Sequence, residues 1–250
     1  MTTLAIEARG LTRSFGGFLA VDHVDLKIRE GSTHALIGPN GAGKSTCFNL
    51  LTRFLDPTAG AILYYGEDIS RKSAAEVARM GLVRSFQISA VFPKLTVLEN
   101  VRLALQRRHG SSFDFWRSNR RLRGLEQEAA AMLAEVGLSM LSDRPAESLS
   151  YGQKRLLEIV TTIALSPRVI LLDEPTAGMA SEAIQSVIAL IRRVREGRTI
   201  VMVEHNLSVV RDLCDTITVL TRGKVLAEGD YTSLSANPAV ISAYLGAGHA

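Results

Sequence analysis

The amino-acid sequence predicts an α/β fold whose core is a parallel β-sheet covered by helices on both faces. Two observations predict it. In the second half of the chain, the apolar runs 169–172, 199–203 and 216–220 alternate with segments of helical character. In the first half, the apolar run 33–37 leads directly into a glycine-rich loop and then a helix. Alternating strands and helices are typical of parallel sheets, because a helix must carry the chain back between parallel strands.

Before that core, the sequence predicts further strands. Residues 4–9 and 24–28 alternate between apolar and polar side chains or run apolar, and Gly16 and Gly17 supply a turn between them. Residues 61–65 predict a further strand that ends at Gly66.

Three helices are predicted from spacing and end signals. Residues 46–55 precede an Asp-Pro pair, and residues 125–136 are rich in Ala, Glu and Leu before a glycine. Apolar residues recur at helical spacing from 184 to 194, with Ser181 placed as the cap and Gly197 as the stop.

Composition and charge exclude several classes of protein. The 250 residues include two cysteines, Cys47 and Cys214, too far apart for a metal-ligand spacing, and no apolar run is long enough to cross a bilayer. The net charge is +4, and residues 106–124 alone carry six arginines against one aspartate. We interpret that stretch as a solvated helical face or loop. Contact with anionic lipid headgroups remains open, and a nucleic-acid partner is not expected.

The loop after residues 33–37 reads G-x-x-x-x-G-K-[ST] and predicts a phosphate-binding site. Its glycines let the backbone N–H groups turn inward, where they bind phosphate oxygens. Lys44 can reach the outer phosphates, Ser45 can offer a hydroxyl to Mg²⁺, and the following helix adds its positive N-terminal end. The predicted ATP contacts in this loop are Gly38, Asn40, Gly41, Gly43, Lys44, Ser45 and Thr46.

A second part of the site follows the buried run 169–172, which ends in Asp173 and Glu174. Parallel sheets bind ligands at the carboxyl ends of their strands, so these carboxylates are expected beside the phosphate loop. Asp173 is predicted to hold Mg²⁺, and Glu174 to polarise the water that attacks the terminal phosphate.

The segment Leu149-Ser150-Tyr151-Gly152-Gln153 precedes a predicted helix at 154–165, and here the chain resembles the ATP-binding subunits of ABC transporters. The family signature is LSGGQ, with Tyr151 in place of its first glycine. The resemblance implies that Ser150, Gly152 and Gln153 contact the ATP held by an opposite subunit. Taken alone, a serine before an amphipathic helix would be only an N-cap.

The same resemblance implies further roles. Gln87 matches the switch glutamine that touches Mg²⁺, and His205 matches the switch histidine at the terminal phosphate; with Glu174 they form the predicted catalytic set. Phe15 matches the aromatic residue that stacks on adenine, and Phe18 is the second candidate. One position departs from the family, because Ala180 stands where an aspartate is usual.

The resemblance implies one ABC ATP-binding domain over 1–250, with a P-loop NTPase (RecA-like) parallel sheet core. We expect an N-terminal antiparallel β subdomain at about 1–33 and 58–70 and an α-helical signature subdomain at about 91–154. The core then comprises about 34–57, 71–90 and 155–250.

The sequence LSYGQ and the segments 92–101, 174–179 and 237–246 resemble one branch in particular, the branched-chain amino acid uptake family, and the longer of its two ATPases. This implies an ATPase, with ATP and Mg²⁺ as cofactors, that powers import of branched-chain or related amino acids or similar small polar solutes. An export ATPase, such as one for lipopolysaccharide extraction, and a soluble non-transport ABC ATPase are the alternatives.

Several partners are implied as well. A second ATP-binding subunit pairs with the chain, as a heterodimer or a homodimer. The pair lies beneath two membrane permease subunits, to which a periplasmic solute-binding protein delivers the solute. The implied location is the cytoplasmic face of a bacterial inner membrane. The transported solute cannot be read from this subunit.

Overall fold

A computed structural model of the chain describes residues 3–85, 91–108 and 119–245, without the side chains of 119–122 and 245. The chain divides into two compact units. The first comprises Met1–Arg84, Arg168–Ala177 and Arg195–Ala250, and the second Ser85–Pro167 and Gly178–Val194. Among the described residues, no helix is both long enough and apolar enough to cross a membrane.

Strands open the chain, helices fill the middle, and strands and helices alternate from β7 to β9. The strands are β1 (Leu4–Phe15), β2 (Phe18–Arg29), β3 (Thr33–Ile37), β4 (Ala59–Tyr64), β5 (Glu67–Asp68), β6 (Leu82–Ser85), β7 (Val169–Asp173), β8 (Thr199–Val203), β9 (Thr216–Thr221) and β10 (Lys224–Gly229). The helices are α1 (Lys44–Leu51), α2 (Ala74–Arg79), α3 (Val97–Arg108), α4 (Asn119–Glu135), α5 (Tyr151–Ala164), α6 (Ser181–Val194), α7 (Leu207–Leu213), α8 (Tyr231–Ser235) and α9 (Pro238–Leu245).

The first unit contains an antiparallel sheet in the order β2-β1-β4-β5. Strands β1 and β2 are longer than the predicted runs 4–9 and 24–28. They pair with each other from Leu4 opposite Arg29 to Phe15 opposite Phe18, through several register shifts. Such irregular pairing breaks the alternation that the sequence analysis relied on.

The second sheet of this unit has the order β10-β9-β3-β8-β7-β6. Strand β3 pairs in parallel with β8 and β9, and β8 pairs in parallel with β7. Every residue of β3, β7 and β8 is buried, as expected for a sheet covered on both faces. Leu36 and Asp173 both lie beside Val203, so the three strands end level with one another. The predicted parallel core is confirmed.

Helix α1 ends at Leu51, earlier than the predicted residue 55. Arg53 adopts the left-handed conformation with φ +60°, and its N–H bonds the carbonyl of Leu50. A left-handed residue cannot continue a right-handed helix, so the helix stops there.

The second unit is helical in the residues that the structure describes. Helices α3 and α4 pack through buried side chains that include Val101, Leu105 and Leu133. Helix α4 begins before the predicted residue 125, and Gly137 follows its end with φ +71°. Helix α5 begins at Tyr151 instead of the predicted residue 154, because Ser150 caps it.

The sequence-based subdomain boundaries stay a prediction. Both sheets fall in one unit, and helices α5 and α6 fall in the other. The predicted helical subdomain 91–154 excluded most of α5 and all of α6. Their helix-to-helix packing is a tertiary feature that no local sequence signal marks.

The arginine-rich stretch 106–124 lies partly outside the described residues. Where it is described, Arg108 donates to Glu128 at 2.9 Å and so ties the end of α3 to α4. This exposed pair fits a solvated helical face or loop.

Gly60 and Gly66 give a matched test of the packing of the first sheet. Both have positive φ, but an added Cβ at Gly60 would lie 2.4 Å from the carbonyl oxygen of Gly10, whereas nothing lies within 4 Å at Gly66. We expect Gly66→Ala to cost about 1 kcal/mol of unfolding free energy from backbone strain, and Gly60→Ala about 1–3 kcal/mol more. Urea unfolding measures both, and equal losses would contradict this packing.

Candidate nucleotide-binding site

The loop between β3 and α1 is held in its curved shape by close backbone neighbours. A Cβ on Gly38, with φ +151°, would lie 2.1 Å from the carbonyl oxygen of Leu220. A Cβ on Gly43, with φ +97°, would lie 2.3 Å from the carbonyl oxygen of Ala20. The glycines are therefore required by contact with β2 and β9 as well as by conformation.

The side chain of Lys44 turns back over its own loop. Its Nζ donates to the carbonyl oxygens of Gly38 at 2.7 Å and Pro39 at 2.9 Å. Burial lowers the pKa of the Lys44 ammonium, while the charges of Glu174 and Asp173 act in the opposite direction. Because a phosphate group is a stronger partner for an ammonium than two neutral carbonyls, this lysine is positioned to bind phosphate.

A cleft of about 330 Å³ opens above the loop, a size within the range of small-ligand sites. Most of the predicted site residues in this unit line it. The lining residues are Phe18, Ala20, Asn40, Gly41, Ala42, Gly43, Lys44, Ser45, Thr46, Glu174 and His205.

Glu174 and His205 meet at the edge of this cleft. The distance from Glu174 Oε1 to His205 Nε2 is 2.7 Å, and since a carboxylate only accepts, the imidazole donates through Nε2–H. Glu174 has φ +45°, a strained conformation for a residue with a side chain, and its N–H donates to the carbonyl of Val203 at 2.9 Å. The residues predicted from two separate strands are thus brought into direct contact.

Asp173, the last residue of β7, is buried and pairs with an arginine that the sequence analysis missed. Arg84 Nη2 donates to Asp173 Oδ2 at 2.5 Å, and Arg84 Nη1 contacts Asn49 Oδ1 on α1. The only sequence signal was a charged residue directly after the apolar pair that opens strand β6.

Glu204 was also missed, although it follows the apolar strand β8 directly. It is 3% exposed. Its carboxylate accepts hydrogen bonds from Thr176 N and Oγ1, from His205 N and from Asn206 N. It therefore joins the segment after Glu174 to the segment that carries His205.

The two aromatic candidates differ in position. Phe18 is 68% exposed and lines the cleft, whereas Phe15 does not line it. Phe15 is 43% exposed and has the guanidinium carbon of Arg13 at 4.6 Å from its ring centroid. The second candidate is thus the one beside the phosphate loop, and adenine stacking stays a prediction for both.

The predicted partner-contact residues begin α5 in the second unit. The Ser150 N–H donates to Gln153 Oε1 at 3.0 Å, and Ser150 Oγ accepts from the Gln153 N–H at 3.4 Å, which together form a capping box. A Cβ on Gly152 would lie 3.5 Å from Met179 Cε, so this glycine is closely approached. Contact with a partner's ATP stays a prediction. Gln87 lies outside the described residues.

The oxygen donors available for a metal fit Mg²⁺. Ser45 offers an exposed hydroxyl in the cleft. The Asp173 carboxylate is buried, does not line the cleft and is paired with Arg84, but both groups are hard ligands of the kind Mg²⁺ prefers. Over the described ranges no cluster of three or more His, Cys, Asp or Glu side chains forms a metal cage.

The family model described as "ABC transporter" matches residues 21–177, which include the phosphate loop, the signature segment and Glu174. The chain belongs to the ABC transporter ATP-binding family. A second model of this family, "Branched-chain amino acid ATP-binding cassette transporter", matches residues 224–250 of this ABC ATPase.

Relatives of this ABC ATPase are similar to it in sequence over nearly the full chain. A high-affinity branched-chain amino acid transport ATP-binding protein of Pseudomonas aeruginosa is 40% identical over 256 residues, covering 98% of this chain and 99% of its own. The corresponding protein of Escherichia coli is 37% identical over 253 residues, with the same coverage.

Solved structures confirm the fold as that of ABC ATPase cassettes, the predicted P-loop NTPase core. A nucleotide-free ATP-binding cassette from an ABC transporter superimposes with a TM-score of 0.83 at 30% identity, covering 98% of this chain and 99% of its own. A dimeric post-hydrolysis cassette bound to ADP and Pi has a TM-score of 0.77 at 26% identity, covering 90% and 98%.

The buried Arg84–Asp173 pair gives a stability prediction. Replacing Arg84 by methionine keeps an apolar stem but leaves a buried carboxylate without its guanidinium, at a cost of about 3–5 kcal/mol of unfolding free energy. Arg211→Met, which breaks the exposed pair with Asp212, should cost less than about 1 kcal/mol. Urea unfolding compares the two variants, and losses of similar size would contradict a strong buried pair.

Proposed function

We propose that this ABC ATPase powers the import of branched-chain or related amino acids, or similar small polar solutes, by a bacterial transporter. The observation that carries the proposal is the cleft that joins the phosphate loop to the Glu174–His205 pair. The relatives named for branched-chain amino acid transport support the substrate class and favour import over export.

ATP binding depends on the loop and its lysine. The N–H groups of the loop and the N-terminal end of α1 bind the phosphates, because both present positive charge to an anion. Lys44 exchanges the carbonyls of Gly38 and Pro39 for phosphate oxygens. Phe18, at the rim of the same cleft, or Phe15 stacks on the base.

Hydrolysis depends on Glu174 and His205. Glu174 accepts a proton from the attacking water, and the hydrogen bond from His205 holds the carboxylate in the orientation needed to do so. His205 is exposed enough to reach the terminal phosphate from the same position. Ser45, Asp173 and Gln87 would hold Mg²⁺, which supplies neutralising charge to the phosphates when bound.

The site is completed by a second chain. Ser150, Gly152 and Gln153 stand at the N-terminus of α5, where backbone N–H groups favour an anion, and we assign them to the ATP of a partner ATP-binding subunit. The dimeric relative bound to ADP and Pi supports this assignment. Two permease subunits and a periplasmic solute-binding protein complete the transporter and select the solute, and we assign this chain to the cytoplasmic face of the inner membrane.

Glu174→Gln tests the catalytic role. In the complex assembled with its permeases and partner ATPase, and supplied with leucine-loaded binding protein, we expect kcat for ATP to fall about 10²–10³-fold while ATP remains bound. Leucine uptake into vesicles should fall with it. Glu196→Gln, which changes an exposed carboxylate of the same unit, is the control and should leave both rates unchanged. Hydrolysis at the wild-type rate in Glu174→Gln would remove Glu174 from this role.

Lys44→Ala tests the phosphate site separately. Loss of the ammonium that faces the loop should weaken binding of a fluorescent ATP analogue to the chain by at least tenfold, because a charge-assisted contact is lost. Lys224→Ala, at an exposed residue paired with Asp22, should leave the affinity unchanged. An unchanged affinity in Lys44→Ala would place the phosphates elsewhere.

A further inference from the structure

We propose that Glu204 is a positioning residue that holds Glu174 and His205 in their working geometry. It does so with hydrogen bonds to the two chain segments that follow β7 and β8. The inference rests on the proposed function, because it assigns Glu204 to the hydrolysis step of the same cleft.

Each oxygen of the buried Glu204 carboxylate serves one segment. Oε1 accepts from Thr176 N at 2.9 Å and from Thr176 Oγ1 at 2.5 Å. Oε2 accepts from His205 N at 2.9 Å and from Asn206 N at 3.1 Å. One side chain thus fixes the distance between the loop after β7 and the loop after β8.

The four donors explain why this position holds a carboxylate. Three backbone N–H groups and one hydroxyl point at a side chain that lies almost wholly out of water. An ionised carboxylate accepts all four and brings no donor of its own, and such charge-assisted bonds compensate for burial of the charge. A glutamine of the same shape would direct its NH₂ group at a backbone N–H in either orientation, leaving buried donors unsatisfied.

The two segments that Glu204 holds by hydrogen bonds carry the reacting groups. Thr176 stands two residues after Glu174, and His205 follows Glu204 directly. Two sets of hydrogen bonds hold the strained backbone of Glu174. Its own N–H donates to the carbonyl of Val203, and Thr176, two residues further along the chain, donates to Glu204. Without the hydrogen bonds to Glu204 both segments can move, so nothing in this carboxylate then supports the 2.7 Å contact between Glu174 and His205.

Glu204 does not line the cleft. It therefore influences ATP hydrolysis only through the residues that it holds. This separates a positioning role from a merely structural one. A structural carboxylate would lower stability and leave the kcat of the folded molecules unchanged. A positioning carboxylate lowers kcat while the phosphate loop, and therefore the affinity for ATP, is unaffected.

The test measures steady-state kcat and KM for ATP in the assembled transporter. We expect Glu204→Gln to lower kcat about tenfold to a hundredfold with KM changed less than twofold, since misplacement of a catalytic group by about 1 Å has costs of this order. Asp215→Asn is the matched control. Its carboxylate accepts the Thr33 N–H at 2.8 Å, at the opposite end of β3, and its kcat should equal that of the wild type.

A double variant adds a readout that stability alone would not move. With Glu174→Gln already present, adding Glu204→Gln should cause no further loss in single-turnover hydrolysis, because both changes disable the same step. If Glu204→Gln does not assemble, Thr176→Val, which removes one of the four donors at constant shape, should still lower kcat about threefold or more. An unchanged kcat, a rise in KM alone, or losses that multiply in the double variant would overturn the proposal. Absence of hydrolysis in the wild-type complex would instead refute the proposed function.

Discussion

The level ending of three parallel strands is the constraint on which the rest of the structure depends. Leu36 of β3 and Asp173 of β7 both pair with Val203 of β8, so each strand delivers its next residues to the same edge of the sheet. The phosphate loop follows the first strand, Glu174 the second and His205 the third. A slip of one residue in either pairing would turn the following side chains to the other face and dismantle the site.

Charge and hydrogen bonding then hold what the sheet delivers. Lys44 lies near Glu174 and Asp173, Arg84 pairs with Asp173, and Glu204 is bonded to four donors. Buried charges are tolerated only when they are compensated in this way. Glu174 keeps an unfavourable backbone conformation because hydrogen bonds on both sides of it outweigh the strain.

The sequence was sufficient for the parts of the site that local patterns mark. The apolar run before Gly38 predicts a strand that leads into a phosphate loop. The apolar run before Asp173 predicts a buried strand that ends in carboxylates at the same edge of the sheet. Arg84 and Glu204 escaped because one charged residue near the end of a strand has many explanations, and only tertiary packing reveals its partners. Ser150 illustrates the opposite case, since a serine before an amphipathic helix predicts an N-cap, and Ser150 caps α5 in the structure. That Phe18 lines the cleft and Phe15 does not depends on how β2 lies beside the loop, which no periodicity encodes.

We propose that the Gly38–Ser45 loop and the Glu174–His205 pair form one ATP site. The most direct measurement is a structure of the transporter carrying Glu174→Gln with Mg²⁺ and ATP. We expect the β- and γ-phosphates to lie within hydrogen-bond distance of the loop N–H groups and Lys44 Nζ. We also expect His205 and the side chain at position 174 to lie beside the terminal phosphate. Phosphates bound outside the loop, or a terminal phosphate remote from both side chains, would contradict it.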